Sequence, residues 1–290
     1  MSNWKDKVIK LIFLSAASTS VLVVALIFLF LGNEAIPFAR DPGIGELWQS
    51  RWSPVSFVKE SFGIIPLITG SLLVTLIAIV LAVPFGVGGA VYLSEIASKG
   101  EKEFLKPFIE LLAGIPSVVI GFFGLIVLSP LIKQVFHLSS GLNAITGGIL
   151  LALMAVPTIV SVSEDAIRAV PGYLTEASLA LGATRLQTIW KVTVPAAISG
   201  ISAAILLGIG RVIGETMTVM MVTGNAARIT LSPFQSVRTM TATIAAEMGE
   251  VPFGSDHYRA LFWVGIILLL FTFALVLLSH RIMKKYKSLP

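Results

Sequence analysis

The sequence predicts an all-α integral membrane protein with six transmembrane helices. Of the 290 residues 56% are hydrophobic and only 13% are charged, and the mean hydropathy is +0.92. A water-soluble domain of this length needs more charged residues to cover its surface. Long apolar stretches recur along the chain instead, and a helix of roughly 20 apolar residues is enough to cross a bilayer.

Six apolar stretches are long enough to span the hydrocarbon core as helices. Together they contain three formally charged residues, Glu110, Arg211 and Glu215, and Glu110 is expected in the first turn of its stretch, within reach of water. The first stretch is expected to be a span, because its apolar part exceeds the roughly 7–15 residues of a cleaved signal peptide. The six stretches are residues 11–31, 64–93, 107–132, 144–163, 196–222 and 260–279.

The distribution of Lys and Arg predicts that both termini are cytoplasmic. With that orientation thirteen basic residues lie on the cytoplasmic side and seven on the outer side, which is the bias that sets topology. The net charge of +5 does not indicate nucleic-acid binding, because the basic residues are scattered between apolar stretches. The absence of cysteine excludes disulfides, thiolate metal sites and thiol catalysis.

Two outer connections are expected to carry local structure. The segment between the first two stretches contains Trp48 and Trp52, and we expect it to lie along the membrane surface as a strip anchored by aromatic side chains. In the connection of residues 223–259, Met240, Ile244 and Met248 recur every four residues. This spacing predicts a short amphipathic or re-entrant helix.

The cytoplasmic loop of residues 164–195, here named the knuckle, is predicted to contain two short helices. Pro171 suits the first turn of the first helix, and Gly182 can adopt the left-handed conformation that closes it. Thr184 and Gln187 have the spacing of a capping box, so a second helix can start there. Pro195 helps to delimit that second helix.

In the knuckle, Glu176, Ala177 and Ser178 are followed after three residues by Gly182 and after nine more by VTVP at residues 192–195. This arrangement resembles the EAA motif of ABC importer permeases, whose pattern is EAA, x3, G, x9, I-x-L-P. The resemblance implies the type I ABC importer permease fold, with the knuckle docked on a separate ATPase subunit. The alternative is an ordinary amphipathic loop helix. The docking residues that the motif implies are Glu176, Ala177, Ser178, Gly182, Arg185 and Pro195.

No G-x-x-x-x-G-K-[ST] phosphate-binding loop occurs in the sequence, so the chain is not expected to bind or hydrolyse ATP or to be an enzyme. The resemblance places ATP and Mg on the partner ATPase subunits. Gly86, Gly88 and Gly89 lie inside an apolar stretch, where small residues favour close helix packing over nucleotide binding. No cofactor and no metal site is predicted for this chain.

Arg211 and Glu215 lie four residues apart in the fifth stretch, and a continuous helix would place them on one face. A charge in the bilayer centre costs about 2.5–3.5 kcal/mol on insertion scales, so both are expected to face protein or a water-filled path. The guanidinium can hold an oxyanion through two hydrogen bonds, with Glu215 neutralising it between transport events. The alternative is an internal ion pair that fixes helix register. Small residues expected to allow close approach at this face are Gly200, Ala204, Gly208, Gly214 and Thr218.

Four segments resemble the phosphate-specific ABC importer, and the last is similar to its PstC-type permease subunit more than to the PstA type. The resemblance runs from about residue 64 to the C-terminus and implies roles in phosphate transport for Arg211 and Glu215. Thr218, Arg238 and Glu247 are assigned to the same substrate pathway. The segments are residues 112–124 (LAGIPSVVIGFFG), 156–171 (VPTIVSVSEDAIRAVP), 208–219 (GIGRVIGETMTV) and 237–250 (VRTMTATIAAEMGE).

The resemblance implies a multi-pass permease subunit of an ATP-driven phosphate importer in the bacterial cytoplasmic (inner) membrane. The implied partners are a PstA-type permease, a PstB-type ATPase dimer, a PstS-type extracytoplasmic phosphate-binding protein and the lipid bilayer. There are two alternatives. One is a permease for sulfate or molybdate, and the other is a proton-coupled transporter with Glu215 as proton carrier. An intramembrane enzyme is disfavoured, because the histidines lie near loops or span ends.

The predicted organisation has three parts. Residues 1–63 form the N-terminal span and the outer strip, residues 64–282 form the permease core that includes the knuckle, and residues 283–290 form a basic cytoplasmic tail.

Overall fold

The structure is a computed structural model that describes residues 4–56 and 59–287. The described chain is mostly helical, and its β-structure consists of a two-stranded antiparallel hairpin, β1 (Trp52–Ser53) with β2 (Ser61–Phe62), and an isolated bridge between Gly224 and Val237. The α-helices are α1 (Trp4–Phe38), α2 (Ile65–Val91), α3 (Lys99–Gly114), α4 (Ser117–Phe123), α5 (Ser129–Val135), α6 (Ala144–Arg168), α7 (Gly172–Ala180), α8 (Arg185–Thr188), α9 (Val194–Ala196), α10 (Ile198–Gly214), α11 (Met217–Val222), α12 (Met240–Glu247) and α13 (Asp256–Lys287). One 3₁₀ turn and four π-helical turns of the described chain join or extend several of them. The 3₁₀ turn is Ile44–Trp48, and the π-helical turns are Ala39–Gly43, Tyr92–Ile96, Gly124–Leu128 and Ile189–Thr193.

Five helical segments of the described chain are long and apolar enough to cross a membrane. A sixth span arises if Arg185–Ala196 and Ile198–Gly214, which meet at a bend of 70°, count as one. The predicted all-α membrane fold is therefore confirmed. The five segments are Asp6–Trp48, Ile65–Ile96, Ser117–Val135, Ala144–Arg168 and Asp256–Leu277.

The third apolar stretch is not one continuous helix. The chain leaves the helical conformation at Ile115 and Pro116, where ψ is 128° and 137°. Proline lacks an N–H and disfavours the helical conformation in the residue before it, so the break follows from Pro116. The prediction that Glu110 lies in the first turn of a span is consequently wrong: Glu110 is an exposed residue of the separate helix α3.

Helix α3 begins with a capping box and lies on the surface of the bundle. The backbone N–H of Ser98 donates to Glu101 Oε2 at 2.7 Å, and this hydrogen bond, helped by the Ser98 side chain and by Tyr92, lowers the pKa of Glu101. No residue of α3 is fully buried. An ion pair between Lys106 and Glu164 of α6, 3.3 Å long, holds α3 against the bundle.

The centre of the bundle consists of α2, α6 and α10, which approach closely at small residues. Ile159 of α6 lies between Gly86 of α2 and Gly208 of α10, and a Cβ atom at either glycine would stand 2.6–2.7 Å from its side chain. A Cβ atom at Gly89 would stand 3.3 Å from Val160, a tight but less severe approach, whereas Gly88 faces open space. The predicted packing role is thus confirmed for Gly86 and Gly89 and wrong for Gly88.

The outer segment before α2 is folded rather than a strip at the membrane surface. Trp52, which was predicted to anchor it, is only 5% exposed and packs with Phe38 and Phe62, while Trp48 is exposed. The hairpin closes this core because its two strands bring Trp52 opposite Phe62. The prediction is wrong for Trp52, since its ring is covered by protein rather than by lipid headgroups.

A short helix forms in the last outer connection, as its four-residue spacing predicts. Helix α12 starts after Thr239, whose hydroxyl accepts a hydrogen bond from the backbone N–H of Ala242. Met240 is buried, and Ile244 and Met248 are partly buried against the same outer core.

The predicted basic tail is only partly within the described chain. Helix α13 continues to Lys287, and residues 288–290 lie outside the described residues. Arg281 is exposed. The cytoplasmic location of both termini and the three-part division of the chain stay predictions.

Candidate functional site

Arg211 lies in the last turn of α10, at a junction with α3 and α6. Its Nη1 donates to the hydroxyl of Thr158 on α6 at 3.1 Å, and its Nη2 donates to the backbone carbonyl of Ala113 at 3.3 Å. Ala113 belongs to the last turn of α3, where carbonyls lack helical partners and a cation is favourable. The guanidinium therefore joins three elements that are distant in sequence.

The predicted pairing of Arg211 with Glu215 is wrong. Helix α10 ends at Gly214, and Glu215 has an extended backbone, with φ −69° and ψ 134°. The four-residue spacing consequently no longer places the two side chains on one helical face, and the described residues include no ion pair between them. The fifth apolar stretch is broken at this point, so Arg211 lies at a helix end and not in the middle of a span.

The break at Glu215 is stabilised by polar groups from two other segments. The hydroxyl of Thr241 donates to the Glu215 carbonyl at 2.8 Å, and the N–H of Thr218 donates to Glu215 Oε1 at 3.2 Å. A backbone carbonyl inside a bilayer needs such a partner once its helical hydrogen bond is lost. Thr241 therefore allows the unwound turn.

Thr218 is fully buried at the start of α11. Its hydroxyl donates to the carbonyl of Ser117 at 3.0 Å, which ties α11 to α4. The prediction that Thr218 lies with the small residues of α10 on one face is wrong, because the break places it in another helix. Its assignment to the substrate pathway stays a prediction.

Helix α10 has one packed side and one open side. Gly200 and Gly208 contact α6 through Ala166 and Ile159, and Ala204 between them is fully buried. A Cβ atom at Gly210 or Gly214 would meet no described atom within 4 Å. The predicted close approach is thus confirmed for Gly200, Ala204 and Gly208 and wrong for Gly214. Arg211 is half-buried between the two sides.

Arg238 and Glu247 come together at the outer end of the bundle. Arg238 Nη1 lies 2.6 Å from Glu247 Oε1, and both side chains are mostly buried. Glu247 Oε2 also contacts His257 Nε2 at 2.8 Å and accepts a hydrogen bond from Trp52 Nε1 at 3.1 Å. Four segments therefore meet at one carboxylate. Sequence analysis did not identify Trp52 or His257 as its partners, because no periodicity connects residues so far apart.

The backbone of Arg238 is held tightly against α2. A Cβ atom at Gly70 would stand 2.3 Å from the Arg238 carbonyl oxygen, and the N–H of Met240 donates to the Ser71 hydroxyl at 2.9 Å. Glycine at position 70 is what permits this approach.

The knuckle has the predicted two-helix form. Gly182 has a φ of +84° at the corner after α7, and Thr184 and Gln187 form the predicted capping box at the start of α8. The hydroxyls of Ser178 and Thr188 lie 2.9 Å apart and join the two helices. These local predictions are confirmed.

The predicted start of the knuckle at residue 164 is wrong, since α6 continues to Arg168. Glu164 is buried in the last turns of α6, where it pairs with Arg168 at 2.7 Å and with Lys106. These two cations compensate the buried charge and let the helix extend.

The knuckle presents an apolar surface to solvent. Leu181 is 90% exposed at its tip, and Leu186, Trp190 and Tyr173 are more than half exposed. Glu176, Ala177 and Pro195 are exposed too, and the guanidinium of Arg185 donates to the carbonyl of Glu95. An exposed apolar cluster with polar surroundings is typical of a protein–protein interface.

The comparisons with known proteins agree with this architecture. The family model described as "Binding-protein-dependent transport system inner membrane component" matches residues 83–287. The chain belongs to this family. It is therefore a permease subunit of the ABC importer type and a multi-pass membrane protein, and no enzymatic activity is indicated for a member of this family.

Curated relatives of this family match almost the whole chain. The probable ABC transporter permease protein YqgH of Bacillus subtilis is 38% identical over 96% of this chain and 91% of its own length. The phosphate transport system permease protein PstC of Mesorhizobium japonicum is 33% identical over 92% of this chain and 89% of its own. The resemblance to PstC-type permeases is thus confirmed.

Solved structures of ABC transporters share the fold. A chain of a bacterial alginate ABC transporter, in complex with an alginate-bound periplasmic protein, aligns with a TM-score of 0.69 at 15% identity over 99% of both chains. A chain of the MetNI methionine ABC transporter aligns with a TM-score of 0.57 at 19% identity, over 77% of this chain and 94% of its own. At these identities the likeness establishes the ABC importer permease fold.

Proposed function

We propose that this chain is the transmembrane permease subunit of an ATP-driven importer of inorganic phosphate in the bacterial inner membrane. PstC-type relatives support phosphate as the substrate, among them those of Mesorhizobium japonicum and Pasteurella multocida at 33% and 34% identity. The observation that carries the proposal within the structure is the position of Arg211, a charged group beside the open, glycine-lined side of α10.

Arg211 retains hydrogen-bonding capacity for an anion. A guanidinium has five N–H donors, and two of those of Arg211 have partners among the described residues, Thr158 and Ala113. The remaining donors can engage an oxyanion through parallel hydrogen bonds, which are stronger than hydrogen bonds between neutral groups. A half-buried site strengthens this attraction, because less water screens the charges.

Glu215 provides the proposed basis for choosing phosphate. One of its carboxylate oxygens accepts from Thr218, and the other has no hydrogen-bond partner among the described residues. Phosphate carries an O–H group at neutral pH that can donate to a carboxylate, whereas sulfate does not. A carboxylate at the same helix end as Arg211 would therefore accept the proton-bearing anion and repel sulfate.

Thr218, Arg238 and Glu247 complete the proposed pathway. Arg238 and Glu247 form an ion pair at the outer end of the bundle, where they would shape the entry of the anion. Thr218 is buried beside the break at Glu215, where it would hold that turn in place.

The proposed energy source is a PstB-type ATPase dimer that binds the knuckle and carries ATP and Mg. The exposed Leu181 and Trp190 support docking there, and the implied contacts include Glu176, Ser178 and Gly182. A PstA-type permease would complete the pathway. A PstS-type protein would deliver phosphate, in keeping with the family's binding-protein-dependent transport.

Uptake of radiolabelled phosphate by cells that lack other phosphate transporters tests the proposal. We expect Arg211→Ala to reduce uptake to background, while Arg228→Ala, at an exposed outer arginine, leaves it unchanged when membrane amounts are equal. Normal uptake by Arg211→Ala would remove Arg211 from the pathway. In reconstituted vesicles, stronger competition by sulfate or molybdate than by phosphate would indicate another oxyanion, and transport driven by a pH gradient without ATP would indicate a secondary transporter.

A further inference from the structure

Thr158 lies beside Arg211 in a tightly packed part of α6. It follows the buried Pro157 in α6 and precedes Ile159, which is 1% exposed and fills the space between Gly86 and Gly208. Movement of the α6 backbone here would disturb the contacts with both α2 and α10. The hydroxyl of Thr158 therefore has a fixed location relative to the end of α10.

The hydroxyl of Thr158 accepts a hydrogen bond but does not donate one to any described residue. Its oxygen accepts a hydrogen bond from Arg211 Nη1 at 3.1 Å. Threonines within helices often donate to a carbonyl of the preceding turn, but no acceptor for the Thr158 hydroxyl is found among the described residues. A hydroxyl can accept and donate at once, so its hydrogen is left to donate to a further group.

An anion held by Arg211 would supply that group. The guanidinium spans Thr158 on one side and the carbonyl of Ala113 on the other. The carbonyl can only repel an anion, whereas the hydroxyl can donate to it. The two polar groups beside Arg211 therefore differ in their effect on an anion. An anion is attracted on the side of Thr158 and repelled on the side of the Ala113 carbonyl.

We propose that Thr158 is an anion-binding residue of this permease: its oxygen orients Arg211, and its hydrogen donates to the oxyanion bound there. The inference rests on the proposed phosphate pathway and adds a second donor to it. Serine preserves both hydrogen bonds, whereas valine has nearly the shape of threonine without the hydroxyl.

The experiment measures ATP-driven phosphate uptake by the complete transporter in vesicles, with saturating binding protein. We expect Thr158→Val to slow turnover about tenfold or more, the order of effect for a lost hydrogen bond in a charged site. Thr158→Ser should stay within about threefold of the wild type. Thr272→Val is the matched control, because Thr272 in α13 donates to the carbonyl of Leu269, away from Arg211.

Coupling to Arg211 separates anion binding from a merely structural role. If both residues bind one anion, the loss of turnover in Thr158→Val combined with Arg211→Lys should be smaller than the product of the two single losses. Because Arg211 donates to Thr158 without any anion, this coupling in turnover should also exceed the coupling in melting temperature measured without phosphate. The melting temperature of each variant in detergent, measured without phosphate, gives the part of the loss that comes from the hydrogen bond between Arg211 and Thr158 alone. If Thr158→Val fails to insert, Thr158→Ala removes the same hydroxyl with a smaller side chain.

Three results would overturn the inference: wild-type turnover in Thr158→Val, equal losses in the valine and serine variants, or losses that multiply in the double variant. Failure of the proposed function has a different signature. In that case the wild-type transporter itself shows no ATP-driven phosphate uptake, whatever the Thr158 variants do.

Discussion

Arg238 and Glu247 form an ion pair with an N–O distance of 2.6 Å, and their side chains are 18% and 15% exposed. Arg238 precedes α12 and Glu247 is its last residue, so the ion pair links the two ends of this short helix. Trp52 and His257 add contacts to the same carboxylate from the hairpin and from α13. One charged centre therefore links four segments at the outer end of the permease.

Removing one member of this pair should destabilise the protein strongly. Glu247→Leu leaves the Arg238 guanidinium buried without its counter-charge, and we expect a loss of roughly 3 kcal/mol, the lower end for a broken buried pair. Thermal unfolding in detergent measures the loss. Combining Glu247→Leu with Arg238→Met should restore much of the stability, and a double variant less stable than Glu247→Leu alone would contradict a dominant role for the pair.

The same double variant tests the predicted role of both residues in transport. If Arg238 and Glu247 act on the substrate pathway, the stable double variant should still fail to take up phosphate. Uptake at the wild-type rate would limit the pair to a structural role.

Gly70→Ala should be destabilising because the added methyl group meets backbone rather than a flexible side chain. Its Cβ would stand 2.3 Å from the carbonyl oxygen of Arg238, and we expect a loss of about 1–3 kcal/mol, as for overpacked cores. Gly88→Ala in the same helix is the control, since nothing lies within 4 Å of its Cβ position. It should be neutral or stabilising by up to about 1 kcal/mol. Equal melting temperatures for the two variants would contradict the close approach.

Gly86 and Ile159 should be energetically coupled. Gly86→Ala forces its methyl group against Ile159, while Ile159→Ala leaves a cavity and should cost about 2–5 kcal/mol. In the double variant the close contact with Ile159 Cγ2 at 2.6 Å is removed, and only the one with Cβ of residue 159 at 2.8 Å remains. The combined loss should therefore be smaller than the sum by at least about 0.5 kcal/mol. Thermal unfolding of the wild type, the two single variants and the double variant in detergent gives the coupling energy. Strictly additive losses of stability would show that the two residues do not share this space.

Leu181→Glu should separate the permease from its ATPase without affecting the spans. Leu181 is 90% exposed at the tip of the knuckle, so a charge there is tolerated in the isolated subunit but opposes burial in an apolar cleft. Copurification of the ATPase from detergent measures docking. Leu231→Glu is the control, because Leu231 is equally exposed in the outer connection and should leave copurification intact. Retention of the ATPase by Leu181→Glu would contradict docking at the knuckle tip.

Features that depend on neighbours in the chain could be predicted from the sequence. The capping box of Thr184 and Gln187 is confirmed because residues three apart at a helix start always face each other. Gly182 takes a positive φ for a similarly local reason. The break at Pro116 has a local signal too, since proline disfavours helix in the preceding residue, but the apolar composition of the stretch obscured it.

Features that depend on distant residues could not be predicted. The separation of Arg211 from Glu215 follows from the unwound turn, and that turn is permitted by Thr241 from another segment. The indole N–H of Trp52 donates to Glu247, which is 195 residues away. Neither relationship leaves a periodic pattern in the sequence.

By itself the sequence determined that this is a helical membrane protein of the ABC importer permease type, with a knuckle of defined shape and one arginine within an apolar stretch. Apolar length and short-range spacing are enough for the helical spans and the knuckle, because a helix in lipid satisfies its own backbone. The permease type rests on the resemblance to the EAA motif. The tertiary structure alone decided which groups surround Arg211 and Glu247. Their partners, Thr158 and Ala113 for one and Trp52, Arg238 and His257 for the other, are brought together only when the helices pack.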